Sequence, residues 1–328
     1  MRRAGRLLAR RLFGALPVLG LVAIGGFLLL EAAPGDAVDA YLAGIGGGDA
    51  AQVAALRAEW GLDGGPLPRL AAYLGALLRL DLGWSTAFER PVLAVVLERL
   101  PNTLLLMGMA TLLALSLGSL LGIVCGARPG SPRDRALSLA AIAIYAMPGF
   151  WLGLVLIVGF SVRLRWLPSG GIETVASGLA GWDRAADIAR HLVLPVASLG
   201  LVYMALYLRL MRDGMAELWR QDFVRAARAR GMAGPRLVLR HVARNALLPV
   251  VTMLGLQSAA MLGGSVVIES VFAIPGLGRL AAEAVARRDT PLLLGVMLLS
   301  AVVVILVNLA VDLAYALLDP RVGSGTGG

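Results

Sequence analysis

DFVRAARARGMAGPRLVLRHVARNALLP, residues 222–249, is an arginine-studded, alanine-rich insert between two long apolar segments. Its local grammar is a helix, a stop and a second helix. Ala226, Ala227 and Ala229 give a run of strong helix formers with small side chains. Gly231 suits the position just past a helix C-terminus, because it takes positive φ without a Cβ clash. Pro235 fits the first turn of a following helix, where its missing N–H is not needed. So many cations between two apolar runs point to the cytoplasmic side of a bilayer. The segment reads as a short helix presented at the end of a bundle, shaped to dock into a partner's groove.

Composition leads to the same class. Apolar residues make up 58% of the 328 and charged residues 16%, against about 25% charged in soluble proteins. Six segments approach or exceed the roughly 20 residues that cross a bilayer as helix: Leu12–Leu30, Thr103–Cys125, Leu137–Val162, Leu192–Leu208, Ala246–Ile268 and Leu292–Leu317. Backbone polar groups inside lipid must be satisfied within the segment, so these are helices. They lack the alternating polarity of membrane strands. The expected fold is all-α, polytopic, with six transmembrane helices.

Arginine placement sets the expected orientation, since all 30 basic residues are arginine. With both termini in the cytoplasm, that side carries 18 Arg against 5 acids. The opposite side carries 12 Arg against 14 acids, with Glu269 and Asp312 inside spans. The positive-inside rule selects this topology. The net charge of +9 is thereby explained by membrane orientation, not nucleic-acid binding, for the arginines are divided among loops without interleaved aromatics. The first segment has a basic start, but its apolar core contains Pro17 and no small-x-small site closes it. An uncleaved first span is expected.

The chain divides into a basic N-terminus (1–11), a first span (12–30), an external region (31–101), a core of five spans (102–318) containing the cytoplasmic loop 209–245, and a cytoplasmic tail (319–328). In the external region Gly44–Gly48 reads as a hinge. Ala51–Trp60 and Leu67–Leu80 show helical spacing, with Leu70, Leu74, Leu77 and Leu78 on one stripe. These helices either lie over the bundle or in the headgroup layer, or form a docking surface for an external protein. Trp166 and Trp182 suit interfacial anchors, and Gly323–Gly328 reads as disordered.

Residues 222–249 resemble the loop of ABC importer permeases in which a short coupling helix enters the ATP-hydrolysing subunit. Ala226, Ala227 and Gly231 keep that family's Ala-Ala-x3-Gly core, while Arg225 stands where glutamate is usual. Both this change and the late Pro249 are similar to the dipeptide/oligopeptide/nickel branch. Asp222, Phe223, Val224, Arg225, Ala227, Arg228, Ala229 and Gly231 match the first half of its loop motif, with Arg230 for lysine. His241, Arg244, Asn245, Ala246, Leu247 and Pro249 match the second. Leu80–Ser85 resembles the branch's G-D-L-G-x-S element with Leu80 in place of glycine. Arg90–Val92, Glu98–Thr103, Glu269–Gly278 and Asp319–Arg321 resemble its other signatures, in the same order.

The resemblance implies a type I importer permease in a prokaryotic inner membrane. It implies a second homologous permease subunit, two cytoplasmic ATP-binding subunits and an extracytoplasmic solute-binding protein as partners. The implied coupling residues are Asp222, Phe223, Arg225, Ala226, Ala227, Arg228 and Gly231. The implied cargo is a di- or oligopeptide, with nickel complexes and glutathione as alternatives. An ion-coupled secondary transporter and a membrane scaffold are the readings outside the family.

No catalytic, cofactor or metal residues are assigned. The sequence has no GxxxxGK[ST] phosphate loop, no HExxH and no GxSxG. His191 and His241 fall on opposite sides of the expected topology, and Cys125 is the single cysteine. Polar residues in or beside spans are the remaining candidates: Asn102, Gln257, Glu269, Asn308 and Asp312. Asn308 and Asp312 suit helix–helix contacts. Gln257, Gly263, Gly264 and Glu269 of the fifth span are the pore or gate candidates.

Overall fold

The structure of the protein, a computed structural model, describes residues 2–32, 38, 42, 47–59 and 64–318. The expected hinge at 44–48 falls largely outside these residues. The Asp319–Arg321 signature and the glycine tail fall wholly outside.

The described helices are α1 (Arg2–Glu31), α2 (Ala50–Glu59), α3 (Pro66–Leu78), α4 (Val92–Ala127), α5 (Pro132–Tyr145), α6 (Gly149–Leu156), α7 (Gly181–Leu218), α8 (Asp222–Ala229), α9 (Gly234–Leu237), α10 (Arg244–Val271), α11 (Leu277–Ala286) and α12 (Thr290–Leu318). A π-helical stretch, Ile157–Arg163, continues α6, and another, Val238–Ala243, joins α9 to α10. The one described sheet is a two-residue antiparallel ladder in which Trp84 faces Pro91 and Ser85 faces Arg90.

Four helices among the described residues are long and apolar enough to cross a membrane: α4, α7, the continuous helix Gly234–Val271, and Thr290–Leu313 of α12. The apolar part of α1, Phe13–Leu29, is shorter. One expectation is corrected. Leu137–Val162 is not a single straight span, because α5 and the helix Gly149–Arg163 meet at 101°. Pro148 leaves the helical region with ψ 133°, and its ring and missing N–H break the ladder at that point. Ser198 of α7 supports the break by donating to the Gly149 carbonyl at 2.8 Å. Pro17, Pro101, Pro195 and Pro249 stay inside helices.

The chain forms two compact units. One comprises residues 1–101 with Gly276–Leu306; the other comprises Asn102–Pro275 with residues 307–328.

The core of the first unit is Val92, Val95 and Val96 against Leu277, Leu280, Ala284, Leu292 and Val296. Asp289 organises its turns. It is buried, accepts from Ser85 Oγ at 2.6 Å and from the Ala87 N–H at 3.0 Å, and caps the Leu292 N–H at 3.1 Å. The serine of the Leu80–Ser85 element is therefore a structural residue.

The second unit is built on a seam between α4 and α7. Gly118, Gly122 and Gly126, four residues apart, let the backbones approach. A Cβ at Gly122 would lie 2.5 Å from Met211 Cβ and 2.8 Å from the Leu208 carbonyl; one at Gly118 would meet Met204 O at 2.7 Å. In a bilayer, small residues at the contact replace the missing hydrophobic drive between helices. Gly122→Leu is expected to lower stability by about 3 kcal/mol or more through overpacking against backbone. A fall in the melting temperature of the purified protein checks this.

Candidate functional site

The short helix expected inside 222–231 is α8. Its end is a Schellman turn: Gly231 N–H donates to the Arg228 carbonyl at 2.9 Å and Met232 N–H to the Ala227 carbonyl at 3.1 Å. Gly231 takes φ +80°, the left-handed value this turn demands. Ala233 then turns the chain into α9, with Pro235 in its first turn.

The two faces of α8 differ. Val224 and Ala227 are buried in the protein's own core with Tyr207, Leu208, Met211, Met215 and Val242. Asp222, Arg225, Ala226 and Ala229 recur at i, i+3, i+4 and i+7 and are exposed, with Phe223 partly so. Of the two alanines expected to give a small docking face, only Ala226 faces outward. Arg225 stays near Asp222 at 3.4 Å, both solvent-exposed. Arg228 turns back, its guanidinium carbon 5.0 Å from the centre of the Trp219 ring.

Trp219 ties this loop to the seam, donating Nε1–H to the Gly126 carbonyl at 2.7 Å. Beside it opens a groove of 670 Å³ lined by Ala127, Arg128, Trp219, Arg228 and the turn 231–235. A second anchor is Asp134, nearly fully buried. It accepts from Arg212 Nε at 2.5 Å and Nη2 at 2.9 Å, from the Gly130 N–H at 2.7 Å and from Ser138 at 3.2 Å. Arg212, Gly130 and Ser138 together satisfy the buried carboxylate. The sequence does carry a signal for Asp134: Ser131-x-x-Asp134 is a capping pattern, and Ser131 Oγ accepts the Asp134 N–H at 3.2 Å. Arg212 and Trp219 had no such signal.

The π-helical stretch 238–243 lies between this loop and α10. Asn245 donates its side-chain amide to the His241 carbonyl at 2.6 Å, satisfying an acceptor at the stretch's end. This gives the asparagine of the 241–249 motif a structural task.

The pore or gate candidates do not form one cluster. Glu269 is fully buried and accepts from Thr103 Oγ1 at 2.7 Å, while neighbouring Asn102 donates to the Pro275 carbonyl at 2.7 Å. Gly264 packs towards α7, with Leu199 at 3.4 Å and the Tyr203 hydroxyl at 3.7 Å of a Cβ placed there. Gly263 points into open space, on a stripe with exposed Leu256, Ala260 and Val267. Gln257 is half-buried. Asn308 stands 3.5 Å from Ser258 Oγ and 3.2 Å from a Cβ at Gly255. His191 Nδ1 lies 2.9 Å from the Asp187 carbonyl. Among the described residues no group of three or more His, Cys, Asp and Glu side chains is placed to hold a metal ion.

Residues 118–324 match the family described as the binding-protein-dependent transport system inner membrane component. The chain belongs to this family. It is 37% identical over 315 residues to the oligopeptide transport system permease protein AppB of Bacillus subtilis, covering 95% of this chain and 98% of that one. It is 40% identical over 314 residues to a putative peptide permease of Brucella ovis, covering 95% and 97%. Its fold is that of the inward-facing methionine ABC transporter MetNI, with a TM-score of 0.55 at 16% identity over 69% of this chain and 96% of the other. The protein is thus a mostly helical permease with the type I ABC importer fold. The secondary-transporter and scaffold readings are set aside by this membership.

Arg212→Met should cost about 3 kcal/mol, because it leaves Asp134 buried without its cation. Combining it with Asp134→Asn should recover much of the loss. Thermal melts of the purified single and double variants check both.

Proposed function

We propose that the protein imports di- or oligopeptides as one half of an ATP-driven translocation path. The names of its relatives, which match over nearly their whole length, support the peptide class. A second permease subunit would supply the other half, two ATP-binding subunits the energy, and an external binding protein the cargo. Six spans, with the bent pair counted as one and Phe13–Leu29 as another, would leave both termini in the cytoplasm, as the arginine asymmetry favours.

The observation that carries the coupling role is the division of α8 into a buried and a free face. Val224 and Ala227 would seat the helix on its own permease. Asp222, Phe223, Arg225 and Ala226 would enter a cleft of the ATP-binding subunit. Arg228 and Gly231 would act behind them, one packed on Trp219 and the other setting the turn. Closure of the ATP-binding subunits would push α8. Trp219 and the Asp134–Arg212 pair pass that displacement to α4, α5 and α7, and the continuous chain 234–271 passes it to α10. The chain itself would hydrolyse nothing.

In the fifth span Gly263, on the open face, is the better-placed candidate for the path, with Gln257 beside it. Gly264 and Glu269 would act through packing and hydrogen bonding.

Ala226→Trp should weaken co-purification of the ATP-binding subunits roughly tenfold while the permease keeps its melting temperature. Ala227→Trp should instead lower the melting temperature, because it overfills the permease's own core. Normal assembly and normal substrate-stimulated ATP hydrolysis in the Ala226→Trp complex would remove α8 from the coupling role. The cargo class is tested by mass spectrometry of the ligand that co-purifies with the cognate binding protein. Peptides are expected; a nickel chelate would overturn the peptide assignment and leave the coupling role intact.

A further inference from the structure

Thirteen residues of α3, PLPRLAAYLGALL, contain a single charged side chain, Arg69. That charge is turned towards α1, where Arg69 Nη1 donates to Glu31 Oε1 at 2.9 Å. One turn further along, Tyr73 stacks on Phe27, with ring centroids 5.8 Å apart and planes at 22°. Both contacts are made with the last turns of α1, where its apolar run Phe13–Leu29 gives way to Glu31. A hydrocarbon boundary falls where such a run meets its first carboxylate, so α3 is pinned at that level.

Leu70, Leu74 and Leu77 are half-buried, and the other face of α3 is uncovered. None of its residues is buried. Leu67 and Leu78, three turns apart on one side, are 77% and 89% exposed, and Ala71 on the same line is exposed too. At about 1.5 Å per residue the helix is about 20 Å long, too short to span a bilayer. Just beyond it Leu80 is 79% exposed and holds φ 59°. It occupies the same Schellman position that Gly231 fills in α8, with Leu80 N–H donating to the Leu77 carbonyl and Asp81 N–H to the Ala76 carbonyl. A leucine there costs about 1 kcal/mol of backbone strain relative to glycine. A large apolar side chain kept at a strained, water-facing position has a use outside the protein.

We propose that α3 is an interfacial helix, with Leu67, Leu78 and Leu80 inserted among the upper acyl chains of the lipid bilayer. Lipid fits this face better than a protein partner does. The line Leu67–Ala71–Leu78 offers no side-chain donor, acceptor or charge to set a protein's register, and the contacts with α1 hold it at headgroup depth. The helix would anchor the external region to the membrane surface beside α1. The inference rests on α1 being a membrane span.

The test uses the assembled transporter with cysteine-free partner subunits and Cys125→Ser, reconstituted in phosphatidylethanolamine–phosphatidylglycerol vesicles. An environment-sensitive fluorophore is attached at Leu67→Cys, Leu78→Cys or, on the exposed side of α1, Leu21→Cys. Lipid spin labels high on the acyl chain should quench the first two by roughly twofold or more, and labels near the chain end should quench the third. Aqueous iodide should leave all three unaffected. Quenching of 67 and 78 by iodide, with 21 still reached from lipid, overturns the interfacial helix but keeps α1 as a span. If that iodide quenching disappears when the binding protein is added, the face belongs to a protein partner. A probe at 21 that lipid labels do not reach overturns both readings.

Discussion

The second unit depends on the close approach of α4 and α7 along Gly118, Gly122 and Gly126. Helices in a bilayer gain little from hiding apolar surface from one another, since the surrounding lipid is equally apolar. Dispersion contacts must hold them, and these fall off within an ångström. The three glycines bring the Met204–Met215 stretch of α7 against bare backbone. The C-terminal end of α7 is thereby placed so that Arg212 reaches Asp134 and Trp219 reaches the Gly126 carbonyl. The short helix α8 then lies on this platform through Val224 and Ala227. A change in the seam would propagate to the loop without touching it.

Polar contacts complete what the seam begins, and several reach backbone carbonyls at or beside irregular chain. Ser198 takes up the Gly149 carbonyl at the bend after Pro148, Asn245 the His241 carbonyl at the π-helical stretch, and Asn102 the Pro275 carbonyl. A carbonyl at the end of a regular helix or in a loop is costly to leave unpaired in a water-poor environment. The irregular segments are where a helical bundle can change shape, and each is fastened by one identifiable side chain.

Much of the architecture was legible in one dimension. The apolar runs named the membrane helices because about 30 Å of hydrocarbon needs about 20 residues of helix. In the loop, Gly231 and Pro235 marked the end of one helix and the start of the next, because their backbone preferences are local properties. Asp222 to Gly231 stood out by composition and by likeness to a family that the chain proved to belong to.

What the sequence left open was direction. Ala226 and Ala227 are equivalent by composition, yet 100° of helix separates them, and packing alone turned one inward and the other out. Five prolines interrupt apolar runs, but only Pro148 breaks its helix, next to a glycine whose carbonyl finds Ser198 of a distant helix. Glu269 could be placed in the fifth span from the sequence, but its hydrogen-bond donor Thr103 lies 166 residues away in the chain. Turn preferences, helix lengths and hydropathy are decided by neighbours along the chain and can be read there. Which face is buried and which polar atom is paired depend on contacts across the fold, and only the tertiary structure supplies them.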